Sequence, residues 1–109
     1  MSIDNRLKKD IDILDLINLR IISYLNNSLF IGKLIDDLEN YLKQLTTINS
    51  DWKIDFRTIW LDIETAYALT LDEDLEELTD SRYALVKEAV ETLRKMAEDK
   101  LKELETFKN

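Results

Sequence analysis

The sequence contains no cysteine, histidine or proline, and it has a single glycine among its 109 residues. Without cysteine there is no disulfide, thiolate metal ligand or thiol nucleophile. Without histidine the chain lacks the most common zinc ligand and general base, which excludes Ser-His and Cys-His triads. One glycine is too few for a glycine-rich phosphate loop. These absences exclude the common catalytic motifs, so we expect no enzymatic activity and no cofactor.

Long apolar runs are also absent, since no stretch approaches the ~20 apolar residues that cross a bilayer. The opening Met-Ser-Ile-Asp-Asn-Arg lacks the basic region, the apolar stretch and the small-residue cleavage motif of a signal peptide. Together with the lack of cysteine, this predicts a cytoplasmic protein that does not bind membranes. A composition of 45% hydrophobic and 35% charged residues is typical of one globular domain, spanning residues 1–109.

Apolar residues recur at three- and four-residue steps, the period of an amphipathic helix, in four segments. Polar breaks rich in asparagine, serine and threonine separate them, and these residues favour helix ends. The pattern predicts an all-α fold, a small four-helix bundle with a short acidic segment between helices three and four. A strand at Arg20–Leu25 is the one local alternative. The four predicted helices run from about Asp4 to Leu25, Leu29 to Thr46, Asp51 to Leu69 and Ser81 to Phe107.

Residues 70–80 connect the third and fourth predicted helices and read Thr-Leu-Asp-Glu-Asp-Leu-Glu-Glu-Leu-Thr-Asp. Leu71, Leu75 and Leu78 step by four and three, which predicts that they hold this segment against the core. The one glycine, Gly32, falls in the first turn of the second helix. There it indicates tight packing or simple tolerance of glycine, and the alternative is close approach of a ligand.

The third predicted helix carries the richest aromatic stripe, which predicts a core face. We expect Trp52 and Trp60 near the edge of the core, where an indole N–H finds a partner. Arg57 and Glu64 lie on the side of Trp60 and predict a structural hydrogen-bond network. The alternative for this pair is a polar anchor for a partner protein.

The net charge of −8 comes almost entirely from the middle of the chain. Residues 51–80 carry 10 acids and 2 bases, whereas residues 1–50 balance to −1 and residues 81–109 to +1. Such like charges repel one another, and a segment evolved only to fold would intersperse lysines. The acidic balance argues against nucleic acid as a partner and favours a basic protein. The alternative is that the acidic segment only keeps the protein in solution.

The acids predicted to bind this partner lie on the third helix and in the segment after it. Asp72-Glu73-Asp74 resembles the start of a calcium loop, but the required glycine does not follow. Glu73 and Glu76 have the Glu-x-x-Glu spacing of some magnesium-dependent hydrolases, yet no second such pair is apparent. The predicted partner-binding residues are Asp51, Asp55, Asp62, Asp72, Glu73, Asp74, Glu76, Glu77 and Asp80.

Two stretches of the sequence and the acidic segment after them suggest a family. Asn27-Ser-Leu-Phe-Ile-Gly-Lys-Leu-Ile-Asp-Asp-Leu-Glu39 and Trp52-Lys-Ile-Asp-Phe-Arg-Thr-Ile-Trp-Leu-Asp-Ile-Glu64 resemble small helical bacterial immunity proteins. Those of contact-dependent growth inhibition and related polymorphic toxin systems are the most similar. The resemblance covers roughly residues 10–80 and rests on the overall pattern, so no site residue is carried over.

The resemblance implies an immunity protein that binds a cognate toxin and blocks its active site. A nuclease toxin of the RNase type is basic because RNA is polyanionic, so an acidic helical surface competes with RNA for it. An exposed aromatic of that surface, Trp52 or Trp60, would be the anchor. Reversal of Asp72, Asp74 and Glu76 to lysine is expected to weaken binding without unfolding the domain.

Two other functions remain open from the sequence. The first is a helical adaptor or regulatory subunit that binds a partner protein through an apolar groove, with little dependence on salt. The second is a small metal-dependent nucleotide hydrolase that binds magnesium through its clustered carboxylates, which is the least favoured because the chain lacks histidine, cysteine and a glycine-rich loop.

Overall fold

The fold is all-α, as the periodicity predicts. A computed structural model describes the backbone of residues 2–108 and the side chains of residues 5–106. Within these residues there is no strand, and the alternative strand at Arg20–Leu25 is helix instead. Helix α3 continues three residues beyond its predicted end, and α2 is two residues shorter at each end. The four helices are α1 (Ser2–Leu25), α2 (Ile31–Gln44), α3 (Ser50–Asp72) and α4 (Asp80–Lys108).

The helices form a ring in which each one packs against two neighbours. α1 and α3 each contact both α2 and α4, and the contact between α2 and α3 is the least extensive of the four. Connections of residues 26–30, 45–49 and 73–79 are short, so successive helices run antiparallel. α2 has 14 residues and spans about 21 Å, whereas α3 has 23 residues and spans about 35 Å. The short α2 therefore leaves part of α3 uncovered.

One apolar core lies at the centre of the ring, and the regularly spaced apolar residues of all four helices contribute to it. Burial of each large aliphatic or aromatic side chain stabilises the fold by about 1.5–3 kcal/mol. The core therefore holds the bundle together without a disulfide. Its fully buried apolar side chains include Leu14, Ile17 and Ile21 of α1, Leu34 and Leu38 of α2, Phe56 and Ile63 of α3, and Val86, Val90 and Leu93 of α4.

The polar breaks end and begin helices as the sequence predicts. Asn27 adopts the left-handed conformation with φ of 62°, and the Ser28 amide donates to the Ser23 carbonyl at 2.8 Å. This pattern is a Schellman motif, which satisfies carbonyls left free at a helix end. At the start of α3 the Asn49 side chain accepts from the Trp52 amide at 2.9 Å. Asparagine therefore caps one helix end and begins another.

A second Schellman motif ends α3 and turns the chain away from the core. Asp74 has φ of 55°, and the Leu75 amide donates to the Thr70 carbonyl at 3.0 Å. Leu71, in the last turn of α3, and Leu75, just after the Asp74 turn, are both exposed, and of the three leucines only Leu78 packs against the core. The prediction that all three leucines hold the segment against the core is therefore wrong. The 3.6-residue spacing ceases to describe the chain once the helix ends.

A buried carboxylate holds the α2–α3 connection against α1. Asp10 is fully buried, and its two oxygens accept from the Thr46 amide at 3.0 Å and the Thr47 amide at 2.6 Å. The Thr47 hydroxyl donates to the same carboxylate. Asp10 lies three residues after Leu7 and four before Leu14, at a core position of the α1 stripe. A charged residue at such a position is the sequence signal for a buried anchor.

None of the helices in the described part of the chain combines the length and apolar character needed to cross a bilayer.

Candidate protein-binding site

A cavity of about 700 Å³ opens at the end of the bundle where the α1–α2 and α3–α4 connections meet. Its walls come from parts of the chain that are distant in sequence, since residues 24–31 face residues 67–83. We call this the end section. Its apolar lining includes Tyr24, Leu29, Phe30, Tyr67, Leu71, Leu75, Leu78 and Tyr83, and its acids are Glu76, Glu77 and Asp80.

A second depression of about 570 Å³ runs between α2 and α3, where those two helices have their limited contact. It shares Phe30, Tyr67 and Leu71 with the end section, so the two are continuous. We call it the side section, and the two together the acidic groove. The other residues that line the side section are Gly32, Lys33, Ile35, Asp36, Glu39, Trp60, Glu64 and Ala68.

Large apolar side chains of the groove are exposed to solvent. Phe30 is 63% exposed, Leu71 54%, Tyr83 48% and Leu75 40%. Single exposed apolar residues are ordinary on protein surfaces, but a cluster of them around a concavity is typical of an interaction site. The groove is therefore the strongest candidate for a functional surface in the described part of the chain.

The Phe30 ring is held in place although most of it faces solvent. Its centroid lies 5.8 Å from that of Tyr67 with the planes at 82°, the edge-to-face geometry that aromatic pairs prefer. A Cβ at Gly32 would come within 3.0 Å of both Phe30 Cε1 and Tyr67 Oη. An added methyl group would make these two side chains shift by a few tenths of an ångström, so glycine favours close packing of the aromatic side chains, which agrees with the packing interpretation of Gly32.

The electrostatic character of the groove is strongly negative. Carboxylates lie on the α2 wall, on the α3 wall and around the end section. Lys33 is the one basic side chain among the residues that line it, and its ammonium is 3.1 Å from the Asp37 carboxylate. Glu39 lies 3.5 Å from Lys43 and 3.9 Å from Arg57, whereas the other carboxylates of the groove form no ion pair with the described residues. The six carboxylates are those of Asp36, Glu39, Glu64, Glu76, Glu77 and Asp80.

The structure places part of the predicted acidic site at this groove. Glu76, Glu77 and Asp80 line the end section, and all three are exposed. Asp72 is the last residue of α3 and Asp74 occupies the left-handed position of the following turn. Both are exposed beside the groove without lining it.

The three predicted acids of α3 lie elsewhere. Asp51, Asp55 and Asp62 are exposed, but Asp51 is about 31 Å from Asp72 along the helix axis. Glu64, which lines the groove, is two positions from Asp62 and therefore about 200° around the helix from it. The nine predicted residues therefore do not form one continuous patch, and those of the 72–80 segment are separated from those of α3.

Glu73 is bound within the protein. Its carboxylate accepts two hydrogen bonds from Arg82, of which the Nη1–Oε1 bond measures 3.2 Å. This bidentate pair joins the end of α3 to the first turn of α4 across the connecting segment. The hydrogen bonds from Arg82 hold the pKa of the Glu73 carboxyl below its ordinary value, against a smaller opposing effect of desolvation.

The lowered pKa predicts how Glu73→Gln behaves with pH. A carboxyl whose pKa is lowered by folding stabilises the native state above its unfolded pKa of about 4.3. That stabilisation is lost as pH falls through the lowered, folded value. The melting temperature of Glu73→Gln should therefore lie below that of the parent at pH 7, and the difference should vanish in acid. The control is Glu88→Gln at an exposed site of α4, which measures the effect of losing one negative charge. If its difference in melting temperature from the parent varied with pH as that of Glu73→Gln does, the prediction would be wrong.

The aromatic anchor differs from the one expected. Trp60 is 5% exposed and its indole N–H donates to the Ile35 carbonyl at 3.0 Å, so it joins α3 to α2 and is unavailable as an anchor. Trp52 is half-buried against Phe56 at a centroid distance of 5.2 Å. Phe30 takes the exposed position. The predicted second helix, Leu29 to Thr46, includes Phe30, but this residue precedes α2 with extended backbone angles.

The predicted hydrogen-bond network of Arg57 and Glu64 is not found among the described residues, and Arg57 instead packs at the edge of the core. Its guanidinium lies 5.6 Å from the centre of the Trp60 ring, and one nitrogen is 3.9 Å from the Glu39 carboxylate. Glu64 instead lines the side section of the groove. The pair therefore separates into a residue that packs on the core edge and a residue that faces the groove.

The described residues do not bring three metal-ligating side chains of the His, Cys, Asp or Glu type together. Comparison of the sequence and fold with protein-family models, with curated proteins and with solved structures gives no significant match in any of the three. The resemblance to bacterial immunity proteins therefore stays a prediction. The chain is a four-helix bundle with an acidic groove that is partly apolar.

Proposed function

We propose that this chain is an inhibitor that binds and neutralises a basic protein toxin in the manner of an immunity protein. The observation that supports the proposal is the acidic groove, where exposed apolar side chains lie among six carboxylates. Such a surface suits a partner that is both basic and amphipathic. A toxin that cleaves RNA is basic at its active site, because it must bind a polyanion.

Inhibition would then result from occlusion. An acidic surface seated on the substrate cleft of a nuclease excludes RNA by charge and by volume. Complementary charge also raises association rates, by about 10–1000-fold, and this effect weakens as salt is added. Neutralisation within a cell requires such fast capture, because an unbound toxin is active from the moment it is released.

The test is a tagged pull-down from the source cells, washed in parallel at low and high salt, with the bound proteins identified by mass. The captured partner is then assayed for RNA cleavage with and without an equimolar amount of the chain. A basic partner whose cleavage is abolished by the chain supports the proposal. A partner that does not cleave RNA, or that cleaves it equally in the presence of the chain, overturns it.

A helical adaptor or regulatory subunit is the second candidate, and the exposure of Phe30, Leu71, Leu75 and Tyr83 favours it. Binding driven by apolar area varies little with salt, whereas binding driven by charge falls steeply. An affinity for the captured partner that is unchanged between low and high salt would favour the adaptor.

Charge reversal tests which acids bind the partner. Changing Glu64, Glu76 and Glu77 together to lysine should weaken partner affinity about 10- to 100-fold at low salt, because like charges then face each other. Asp74 is left unchanged in this variant, because lysine tolerates its left-handed backbone poorly. Affinity is measured by surface plasmon resonance, and circular dichroism verifies that the helices persist.

The matched control carries the same change of charge on α4. Glu88, Glu91 and Glu105 are exposed glutamates that do not line the groove. Their joint replacement by lysine should alter affinity by much less than the groove variant does. Equal losses in the two variants would mean that net charge, and not this groove, governs binding.

A further inference from the structure

We infer that the acidic groove receives one amphipathic helix of the partner, a helix whose apolar row is flanked on both sides by lysine or arginine. This inference rests on the proposed function in one respect, which is that the partner is basic. It adds the structural element that is recognised and the pattern of residues that the element must carry.

The mode of recognition follows from the secondary structure of the chain. A peptide that adds a strand needs an open sheet edge, and the described residues contain no sheet. A groove between two helices instead accepts the apolar face of a third helix. The α3 wall runs from Trp60 to Leu71, about 17 Å. That length matches three turns of a bound helix, whose anchors would recur at three- and four-residue steps.

Apolar anchoring positions are already present. Phe30 is fixed by the edge-to-face contact with Tyr67 and by the close packing at Gly32. An anchor held in its binding position loses less conformational entropy on association, which favours affinity. Leu71 and Leu75 extend the exposed apolar strip toward the α3–α4 connection. The strip is thus long enough to contact more than one turn of a bound helix.

Carboxylates lie on both walls of the groove, which specifies the flanks of the bound helix. Asp36 and Glu39 lie on the α2 wall, and Glu64 lies on the α3 wall. Glu76 and Glu77 border the end section. A helix with basic residues on either side of its apolar row would pair with both walls. An acidic helix would be repelled, as would a second copy of this chain with its net charge of −8.

The experiment uses three synthetic 14-residue helical peptides and the full chain. The first has a leucine row flanked by lysines, the second has the same row flanked by glutamates, and the third keeps the lysines but replaces leucine by glutamine. Fluorescence anisotropy of the labelled peptides measures binding. The leucine–lysine peptide should bind at least ~10-fold more tightly than either of the others, because both apolar contact and charge are required.

Variants of the chain localise the binding. The double variant Phe30→Ala, Leu71→Ala should bind the leucine–lysine peptide about 10-fold more weakly or worse, because it lacks two apolar anchors. The control is Leu19→Ala with Leu85→Ala, two similarly exposed leucines outside the groove, and it should bind like the parent. Gly32→Ala displaces the Phe30 ring without removing it, so it should weaken binding while circular dichroism and urea unfolding remain close to those of the parent.

Several outcomes would overturn the inference. If the glutamate-flanked peptide bound as tightly as the lysine-flanked one, charge would not select the helix. If the groove variant and the control variant lost the same affinity, the peptide would not bind in the groove. If the parent chain self-associated in sedimentation velocity and the double variant Phe30→Ala, Leu71→Ala did not, the groove would bind a second copy of the chain.

The two proposals also fail separately. A captured toxin inhibited equally by the groove variant contradicts only the helix inference, whereas groove-dependent peptide binding without inhibition of any captured toxin contradicts only the immunity function.

Discussion

Asp10→Asn is expected to lower the free energy of unfolding by about 2–4 kcal/mol, although the side chain keeps its size. The Asp10 carboxylate is fully buried and accepts from the amides of Thr46 and Thr47 and from the Thr47 hydroxyl. An asparagine presents one oxygen and one NH2 group, and an NH2 group cannot accept. At least one donor of the α2–α3 connection then faces another donor, next to a side chain that is fully buried.

Urea denaturation followed by circular dichroism measures this effect. Asp12→Asn is the matched control, because Asp12 is an exposed residue of the same helix. Its replacement should change stability by no more than about 0.5 kcal/mol. A similar small effect for Asp10→Asn would show that the α2–α3 connection does not depend on the carboxylate.

Trp60→Ala is expected to destabilise the bundle by about 3–5 kcal/mol, the usual result of removing a buried aromatic side chain. Trp60 is almost completely buried, and it provides the hydrogen bond from its indole N–H to the Ile35 carbonyl of α2. Since α2 and α3 share the least extensive contact in the ring, this side chain is central to holding them together. Trp60→Phe keeps an aromatic ring but loses the hydrogen bond, and it should cost about 1–2 kcal/mol.

Urea unfolding of the two Trp60 variants is compared with that of Leu61→Ala. Leu61 is the next residue of α3 and is largely exposed, so its truncation should cost less than about 1 kcal/mol. Equal stability of Trp60→Ala and Leu61→Ala would mean that α2 is held by other contacts. Because Trp60 also lines the side section of the groove, Trp60→Ala should weaken binding of the leucine–lysine peptide as well.

The sequence predicts the four helices well because each buries one face in a shared core, and a buried face repeats with the period of the helix. The same reasoning fails where the period no longer applies. Leu71 and Leu75 have helical spacing, but the helix ends at Asp72 and the turn at Asp74 follows, and both leucines are exposed. Phe30 likewise fits the α2 stripe by spacing, although it precedes the first helical residue.

The groove itself could not be predicted from local patterns. Its end section joins residues 24–31 with residues 67–83, and only tertiary packing brings these together. The sequence did reveal the acids of residues 72–80, because their concentration is a matter of composition. It did not reveal which of them line a cavity, or that Glu73 is bound to Arg82. The sequence gives the order of the charged residues, whereas the contacts of each charged side chain depend on the fold.

The elongated shape of the bundle, 51 Å by 24 Å by 18 Å, gives the uneven charge a direction. The acids of residues 72–80 lie at one end of the long axis, while Arg6, Lys8 and Lys9 lie near the start of α1 at the other. The molecule is therefore an electric dipole, and a positively charged partner exerts a torque that turns the acidic end toward it. At physiological salt this torque acts only within about 8 Å of contact. The molecule would therefore be oriented only in the last stage of approach, when the partner is close enough for the acidic end to turn toward it.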